Sequence, residues 1–294
     1  MNEKNFINKV ENHWHKKPFE DLTIADDFMF CVVMQEEDVC LQLLNLVLKN
    51  EVGKLIRIIP QDTLAGKNNA KAVRLDIMAE DSAGKLYNIE MQTSQQHFLA
   101  KRMRYYQCAI DQSSLDKGAD YIALPETFII FFCTFDHLKK SRPLYTIKPI
   151  CKETIEVFND GTTKLIVNTK ASEKAEPELR ALLQYMNGMP ATSEFTKKLD
   201  EKVKAIRQNE VRRKEYMNIN AFEMDARRDG KNEGIAIGLL EGLSQGEVRG
   251  IQKGLNQGKL EKARETARKM KYKGFNTTDI SEVTGLSETE IDKL

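Results

Sequence analysis

Two acidic residues, Asp76 and Glu90, lie on neighbouring segments that have the pattern of a β-hairpin. Residues 73–92 alternate apolar and polar side chains with a period of two, which predicts a half-buried strand pair. If residues 82–84 form a three-residue loop with Gly84 in the left-handed conformation, Asp76 faces Glu90 on the polar side. Directly opposed residues have Cβ atoms about 5 Å apart, so the two carboxylates repel unless a cation compensates them. Mg²⁺ would suit, because proteins hold it through one or two carboxylates with water and phosphate oxygens.

The composition indicates a globular chain without a strong overall charge. The 294 residues suffice for one sizeable domain and a smaller one, and the net charge of +1 means that any basic site must be local. The N-terminus has no apolar core of a signal peptide, and the longest apolar run, 128–135, is too short to span a bilayer. An odd number of cysteines without a C-x-x-C pair predicts buried reduced thiols rather than a zinc site: Cys31, Cys40, Cys108, Cys133 and Cys151.

The first 170 residues mix helix and strand signals, which predicts an α/β core. Asp26 or Asp27 can cap a first helix that runs to about residue 50. The further predicted elements are a strand at 55–60, a loop at 65–70, a helix at 95–117, a buried strand at 127–135, and a second hairpin with strands 154–158 and 164–168 around the turn 159–161.

Beyond residue 170 strand signals end and charge density rises, which predicts an all-α extension. Helices are expected at 177–188 and from residue 192 onward. Cations outnumber acids in the second of these helices. A solvated helix face is the favoured interpretation, and a nucleic-acid contact is the alternative.

A glycine repeat follows, with glycine at every fourth position: 230, 234, 238, 242, 246, 250, 254 and 258. Each glycine should destabilise a helix by roughly 0.5 to 1 kcal/mol relative to alanine, so some contact must offset the cost. A smooth groove of small residues permits close approach of a second helix. We therefore predict self-association through residues 229–260, as a helical dimer of the chain. The alternative interpretation is that this segment is a flexible tether.

The C-terminal segment, 261–294, has two short helical patterns around Gly285 and resembles a helix-turn-helix. Its last helix carries Glu288, Glu290 and Asp292, a poor surface for phosphates. A small packing or regulatory module is therefore favoured over a DNA-reading head.

Several ordered motifs resemble one family. Asp76 followed by Glu90-Met91-Gln92 resembles the D…(D/E)-x-K signature of the PD-(D/E)xK nuclease superfamily. The flanking segments 27–30, 102–106, 121–125, 135–136 and 160–162 are similar to the Rpn family of recombination-promoting nucleases and transposases. The similarity covers roughly residues 18–170, and the glycine-repeat tail is also typical of relatives.

The resemblance implies a restriction-endonuclease-like fold, a mixed sheet flanked by helices, that cuts double-stranded DNA with Mg²⁺ or Mn²⁺ in the bacterial cytoplasm. Asp76 and Glu90 would be metal ligands and Asp27 an additional acid, with Glu37 as its substitute. Cations after the hairpin would contact the phosphate: Lys101, Arg102 and Arg104. The predicted organisation is a polar lead-in at 1–18, a nuclease-like domain at 19–172, a charged helical region at 173–228, the glycine-repeat helix as a homodimer contact, and the C-terminal module.

Gln92 departs from the superfamily pattern, in which lysine is commonest at this position. A glutamine can orient the attacking water and donate to the phosphate, but it supplies no positive charge, so a basic neighbour such as Arg102 would have to reach the site. Two hypotheses follow. The chain is a metal-dependent endonuclease with Asp76, Glu90 and Gln92 as catalytic residues, or it is a relative that kept the fold for binding or assembly and lost the chemistry.

Overall fold

The computed structural model describes residues 17–64, 72–95 and 97–294, so the predicted loop at 65–70 and most of the polar lead-in lie outside the described residues. The chain divides into two compact units, Met1–Asn218 and Ile219–Leu294. The strands of the first unit are β1 (Leu55–Pro60), β2 (Thr63–Leu64), β3 (Val73–Arg74), β4 (Ile77–Asp81), β5 (Leu86–Gln92), β6 (Thr127–Cys133), β7 (Leu144–Ile147) and β8 (Thr162–Asn168).

Within the described chain, six of these strands form one mixed sheet in the order β1-β4-β5-β6-β8-β7, and β2 pairs with β3 separately. Strands β5, β6 and β8 run parallel in the centre, while the outer pairs are antiparallel. The central strands are buried, as the apolar run predicts for β6. The predicted mixed sheet flanked by helices is confirmed.

Helices cover the two faces of this sheet. Their bounds are α1 (Asp27–Val33), α2 (Glu37–Leu48), α3 (Leu99–Ser114), α4 (Pro177–Met186) and α5 (Glu194–Arg207). The long helix α6 (Glu210–Tyr272) begins in this unit and continues into the second. Helix α3 packs its apolar side, including Met103 and Tyr106, against Ile129 and Phe131 of β6. On the opposite face, Phe30 of α1 lies against Phe132, with ring centroids 6.1 Å apart. Because side chains alternate along β6, this strand packs against helices on both faces of the sheet.

The first hairpin has the predicted register. Ile77 pairs with Ile89, and the N–H of Asp81 donates to the carbonyl of Lys85 at 3.1 Å. Gly84 has φ +77°, the left-handed conformation that the three-residue loop requires. The buried Asp81 carboxylate fixes the loop, because it accepts hydrogen bonds from the N–H groups of residues 83 and 85 and from the hydroxyl of Tyr87.

Two predictions about this hairpin are wrong in detail. Its first strand is interrupted at Leu75 and Asp76, because the N–H of Leu75 donates to Asp62 and the carbonyl of Asp76 accepts from Gln61. The pair is also buried on both sides rather than half-buried. Glu90 has no solvent exposure, since α3 covers the polar face that alternation alone assigns to solvent.

Other element boundaries also differ from the sequence predictions. The first helix is two helices, α1 and α2, separated at residues 34–36, and the helix predicted from residue 192 breaks between α5 and α6. The prediction of a second hairpin is wrong. Strand β8 pairs with β7 rather than with residues 154–158, which make only a single bridge between Ile150 and Val157. Helix α3 is shorter than the predicted 95–117, a range that includes the undescribed residue 96.

Several cations of α5 and early α6 form ion pairs. Lys198 pairs with Asp38 at 2.5 Å, Lys202 pairs with Glu36, and the nearby Arg213 pairs with Glu20. These contacts attach α5 to the start of α2 and favour the structural interpretation of this charged region over a nucleic-acid contact.

The second unit is helical. Its part of α6 carries the glycine repeat on an exposed surface, and apart from the helix backbone no described atom lies within 4 Å of a Cβ built at any of the eight glycines. Two short helices follow, α7 (Thr277–Thr284) and α8 (Glu288–Asp292), around Gly285 at φ +70°. Ala267, Ile280 and Ile291 form a small core there. Across both units, no described helix contains an apolar stretch long enough to cross a bilayer.

The cysteine prediction is correct for three of the five thiols. All five are free. Cys31, Cys40 and Cys133 are buried, whereas Cys108 is exposed on α3 and Cys151 is partly exposed, because each lies on the solvent side of its segment.

Candidate active site

Asp76 and Glu90 lie together where β4 begins beside the end of β5. The N–H of Asp76 donates to Oε1 of Glu90 at 3.0 Å, and the N–H of Met91 donates to Oδ2 of Asp76 at 3.0 Å. At this end of the strand pair, the backbone N–H groups of Asp76 and Met91 thus donate to side-chain carboxylates rather than to backbone carbonyls. This arrangement holds both side chains in place without a contribution from solvent.

Arg102 brings a cation to the pair from helix α3. One terminal nitrogen donates to Oε2 of Glu90 at 2.9 Å, and the other donates to Oε1 of Gln92 at 2.5 Å. Its Nε donates to the hydroxyl of Tyr106 at 2.7 Å, and the guanidinium lies 4.9 Å from that ring and 5.1 Å from the ring of Phe131. Three of its five N–H groups contact these neighbours, and the other two donate to no described residue.

Gln92 is held at both ends of its amide. Oε1 accepts from Arg102, while Nε2 donates to the carbonyl of Ser94 at 2.7 Å and to its hydroxyl at 3.1 Å. The residue as a whole is only 5% exposed. Its geometry therefore places the carbonyl of Gln92 next to the cation of Arg102, with the amide nitrogen turned to the segment that follows β5.

Burial raises the pKa of both acids. Burial is the main cause for Glu90, the charge of Asp76 adds to it, and Arg102 acts in the opposite direction. Burial also raises the pKa of Asp76. The hydrogen bond from Met91 opposes that rise, and the charge of Asp27 adds to it. The fold therefore holds two acids where their charged forms are disfavoured, a pattern common at functional sites.

A family model described as PD-(D/E)XK nuclease family transposase matches residues 25–233. The chain belongs to this family. A search of curated proteins and a search of solved structures each found no match. The matched region includes the sheet, helix α3 and all the residues described above, so the PD-(D/E)XK assignment and the clustered acids come from the same part of the chain.

The other residues that the sequence predicts for a PD-(D/E)XK site are placed unequally. Asp27 lies exposed at the first turn of α1, close enough for its charge to act on Asp76. Glu37 begins the next helix. Lys101 and Arg104 are exposed on α3, whereas Arg102 is turned to the acids. In the described part of the chain, no three His, Cys, Asp or Glu side chains are grouped closely enough to hold a metal ion together.

Sequence reasoning missed three contributors to this candidate site. The thiol of Cys31 lies 3.5 Å from the carbonyl of Asp76, and burial together with the charge of Asp76 raises its pKa, so it stays a neutral donor. Arg74 lowers the pKa of Asp76 through its charge, and Ser94 holds Gln92. Only Arg74 leaves a sequence signal, because it lies two residues before Asp76 and so shares its face of a strand.

Proposed function

We propose that this chain is a Mg²⁺- or Mn²⁺-dependent endonuclease that hydrolyses phosphodiester bonds of double-stranded DNA during recombination or transposition. The observation that carries the proposal is the convergence of Asp76, Glu90 and Arg102 on one buried edge of the central strands. Membership of a nuclease family supports the reaction class. By family resemblance we place the enzyme in the bacterial cytoplasm.

The residues present fit a divalent cation. Oδ1 of Asp76 accepts no hydrogen bond from any described residue, so this oxygen can ligate a cation, and the oxygens of Glu90 lie beside it. Asp76 and Glu90 would hold the metal ion, with Asp27 as an outer ligand. When bound, the ion would lower the pKa of a water ligand and neutralise charge on the scissile phosphate. A cation between the two acids would also remove the repulsion that raises the pKa of Glu90.

Arg102 would supply the charge that Gln92 lacks. Its side chain is 25% exposed, so its two remaining N–H groups can contact a phosphate oxygen from the solvent side. Gln92 would keep the guanidinium in position and accept from the attacking water through its carbonyl. Lys101 and Arg104, one and two residues away on the exposed side of α3, would contact phosphates further along the duplex.

The experiment is a plasmid nicking assay. Wild-type chain and the Asp76→Ala variant are incubated with supercoiled plasmid in Mg²⁺, Mn²⁺ or Ca²⁺, with EDTA as the blank. We expect nicking by the wild type in Mg²⁺ or Mn²⁺ and none by Asp76→Ala, whose fold is checked by circular dichroism. A wild-type chain that leaves the plasmid intact in every metal contradicts the proposal.

The second candidate function is a catalytically impaired relative that binds DNA or assembles without cutting. It is favoured by one observation, that both ends of the Gln92 amide are already engaged in the structure. Under this alternative, duplex affinity is the same for wild type and Asp76→Ala, and a Mg²⁺ titration followed by calorimetry gives no heat of binding.

We also propose that the enzyme is a homodimer through residues 229–260. The support is the exposed glycine surface of α6, flanked by apolar side chains that are at least half exposed, such as Leu240 and Leu243. Contiguous exposed apolar surface marks interaction sites in soluble proteins. Two copies would bring two sites to one duplex, so both strands could be cut.

A further inference from the structure

A loop adjoins the candidate active site on the side of strand β6. The N–H of Thr134 donates to the carbonyl of Gln92 at 3.1 Å, and its hydroxyl donates to the carbonyl of Thr93 at 3.1 Å. Residues 136–145 follow directly; we call them the Asp136 loop. Because β5, β6 and β8 are parallel, their last residues Gln92, Cys133 and Asn168 are aligned at this edge of the sheet.

Hydrogen bonds hold the Asp136 loop in one conformation. The carboxylate of Asp136 accepts from the N–H of Lys139 at 2.9 Å, from the N–H of Ser141 at 2.7 Å and from the hydroxyl of Tyr145 at 2.8 Å. Lys139 and Ser141 have φ of +54° and +50°, which is unfavourable for residues other than glycine. Backbone outliers held by their surroundings are concentrated at functional sites.

The end of β8 fixes the other side of the loop. The buried Asn168 donates from its side-chain amide to the carbonyl of Arg142 at 3.0 Å, and its N–H donates to the carbonyl of Pro143 at 2.8 Å. Its Oδ1 accepts from the N–H of Lys170 at 3.0 Å. A cleft of about 310 Å³ lies here, lined by residues of the loop and of the 3-10 segment Thr169–Lys174.

Two cations line this cleft and three more lie on the adjoining Asp136 loop, and among the described residues none of their side chains forms an ion pair. All five are exposed: Lys170 and Lys174 at the cleft, and Lys139, Lys140 and Arg142 on the loop. Two acids lie beside these cations, Asp136 and Glu173, and both keep their charge because their hydrogen-bond donors are neutral. Five cations against two acids leave the surface positive, although the whole chain is almost neutral.

The spacing of the edge matches a nucleic-acid backbone. Adjacent strands are about 4.8 Å apart, so the ends of β5 and β8 are about 10 Å apart across β6. Successive phosphates of one DNA strand are offset by about 3.4 Å along the duplex axis, so a short stretch of backbone is long enough to bridge this edge. A backbone lying across it would reach the acids at one end and the unpaired cations at the other.

We propose that the Asp136 loop and the segment Thr169–Lys174 form a phosphate-binding surface that holds the DNA backbone beside the active site. The contacts are to phosphates, so they position the duplex without reading its sequence. Asp136 is a positioning residue here, because it orders the loop that carries three of the cations. The inference rests on the proposed function for the choice of duplex DNA as the partner, but it concerns DNA binding and not cleavage.

Binding is measured without cleavage, by fluorescence anisotropy of a labelled 20-base-pair duplex with the full chain in EDTA, over a range of KCl concentrations. The variant Lys139→Ala/Lys140→Ala/Arg142→Ala should raise Kd about tenfold and reduce the slope of log K against log salt by about two to three. The matched control removes three exposed charges at the opposite edge, Lys54→Ala/Lys117→Ala/Lys148→Ala, and should leave both values unchanged.

Asp136→Ala keeps every cation and releases the loop, so we expect a higher Kd with an unchanged salt slope. A triple variant that binds as the wild type does, a control that loses as much affinity, or a wild-type chain that does not bind the duplex would each overturn the proposal. A wild-type chain that binds through this surface and yet never nicks plasmid supports the binding surface and contradicts only the proposed nuclease activity.

Discussion

The backbone N–H of Asp76 donates a 3.0 Å hydrogen bond to the side chain of Glu90, so the first acid of the site orients the second. A return bond runs from the N–H of Met91 to Asp76. Each carboxylate is thus attached to the other strand, and neither can move without disturbing the end of the hairpin. Such preorganisation is what a site needs if it is to hold a metal ion in fixed geometry.

Asp76→Asn should abolish nicking and stabilise the metal-free protein at pH 8. The amide oxygen can still accept from Met91, whereas the buried charge and its repulsion of Glu90 are removed. A gain of about 1 kcal/mol would raise Tm by about 2–4 °C in a protein of this size. Thermal unfolding in EDTA measures the change, and a lower Tm for the variant contradicts it.

Asp76→Asn also tests how the stability of the folded protein depends on pH. Because folding raises the pKa of Asp76 and of Glu90, the folded wild type binds more protons than the unfolded chain does. Its stability should therefore fall as the pH rises from the ordinary carboxyl pKa, about 4, through the raised values. The Tm advantage of Asp76→Asn should shrink as the pH is lowered through the same window and be absent below it, which a pH series in EDTA would show.

Arg102→Met should destabilise the fold as well as end activity. Glu90 is fully buried, and at a pH above its raised pKa the loss of its cation leaves an uncompensated charge, at a cost of about 3 kcal/mol in comparable pairs. The double variant Arg102→Met/Glu90→Gln removes both charges, so we expect it to recover most of the free energy of unfolding while remaining inactive. Urea titrations decide, and equal stability of the single and double variants is the contrary result.

A charge exchange tests whether Arg102 replaces the usual lysine. Arg102→Gln alone should stop nicking, and Gln92→Lys alone should impair it because two cations then crowd Glu90. Combined, Gln92→Lys/Arg102→Gln restores one cation at the place that the superfamily pattern gives it. We expect the double variant to nick plasmid faster than either single variant. If it is no faster than Arg102→Gln, the cation on α3 has another role.

Local chemistry predicts the hairpin better than it predicts its surroundings. Gly84 and the alternation fix the register, because a three-residue loop needs one left-handed residue. The break at Asp76 was beyond prediction, since it depends on hydrogen bonds with residues 61 and 62. Among three adjacent cations only Arg102 shares the face of Tyr106, and burial rather than residue type decides which of them reaches Glu90.

The glycine surface predicts a contrast between two double variants. Gly242→Ala/Gly246→Ala should stabilise helix α6 by about 0.8–1 kcal/mol per site. It should keep the dimer, because alanine is still small enough for close helix contact. Gly242→Leu/Gly246→Leu also favours helix, but its bulk blocks close approach. Sedimentation of the full chain should show a dimer for the first and a monomer for the second. A wild-type monomer at every concentration excludes the idea.

The cation beside Glu90 comes from a helix rather than from strand β5, and this affects how related nuclease-like sequences are recognised. A search pattern that demands lysine two positions after the glutamate passes over this one, because Gln92 fills that place and the charge enters ten residues later from Arg102. A pattern of E-x-Q followed by x₉-R-x₃-Y would select the same spatial arrangement. Chains set aside as inactive for want of the lysine can be sorted again on that spacing.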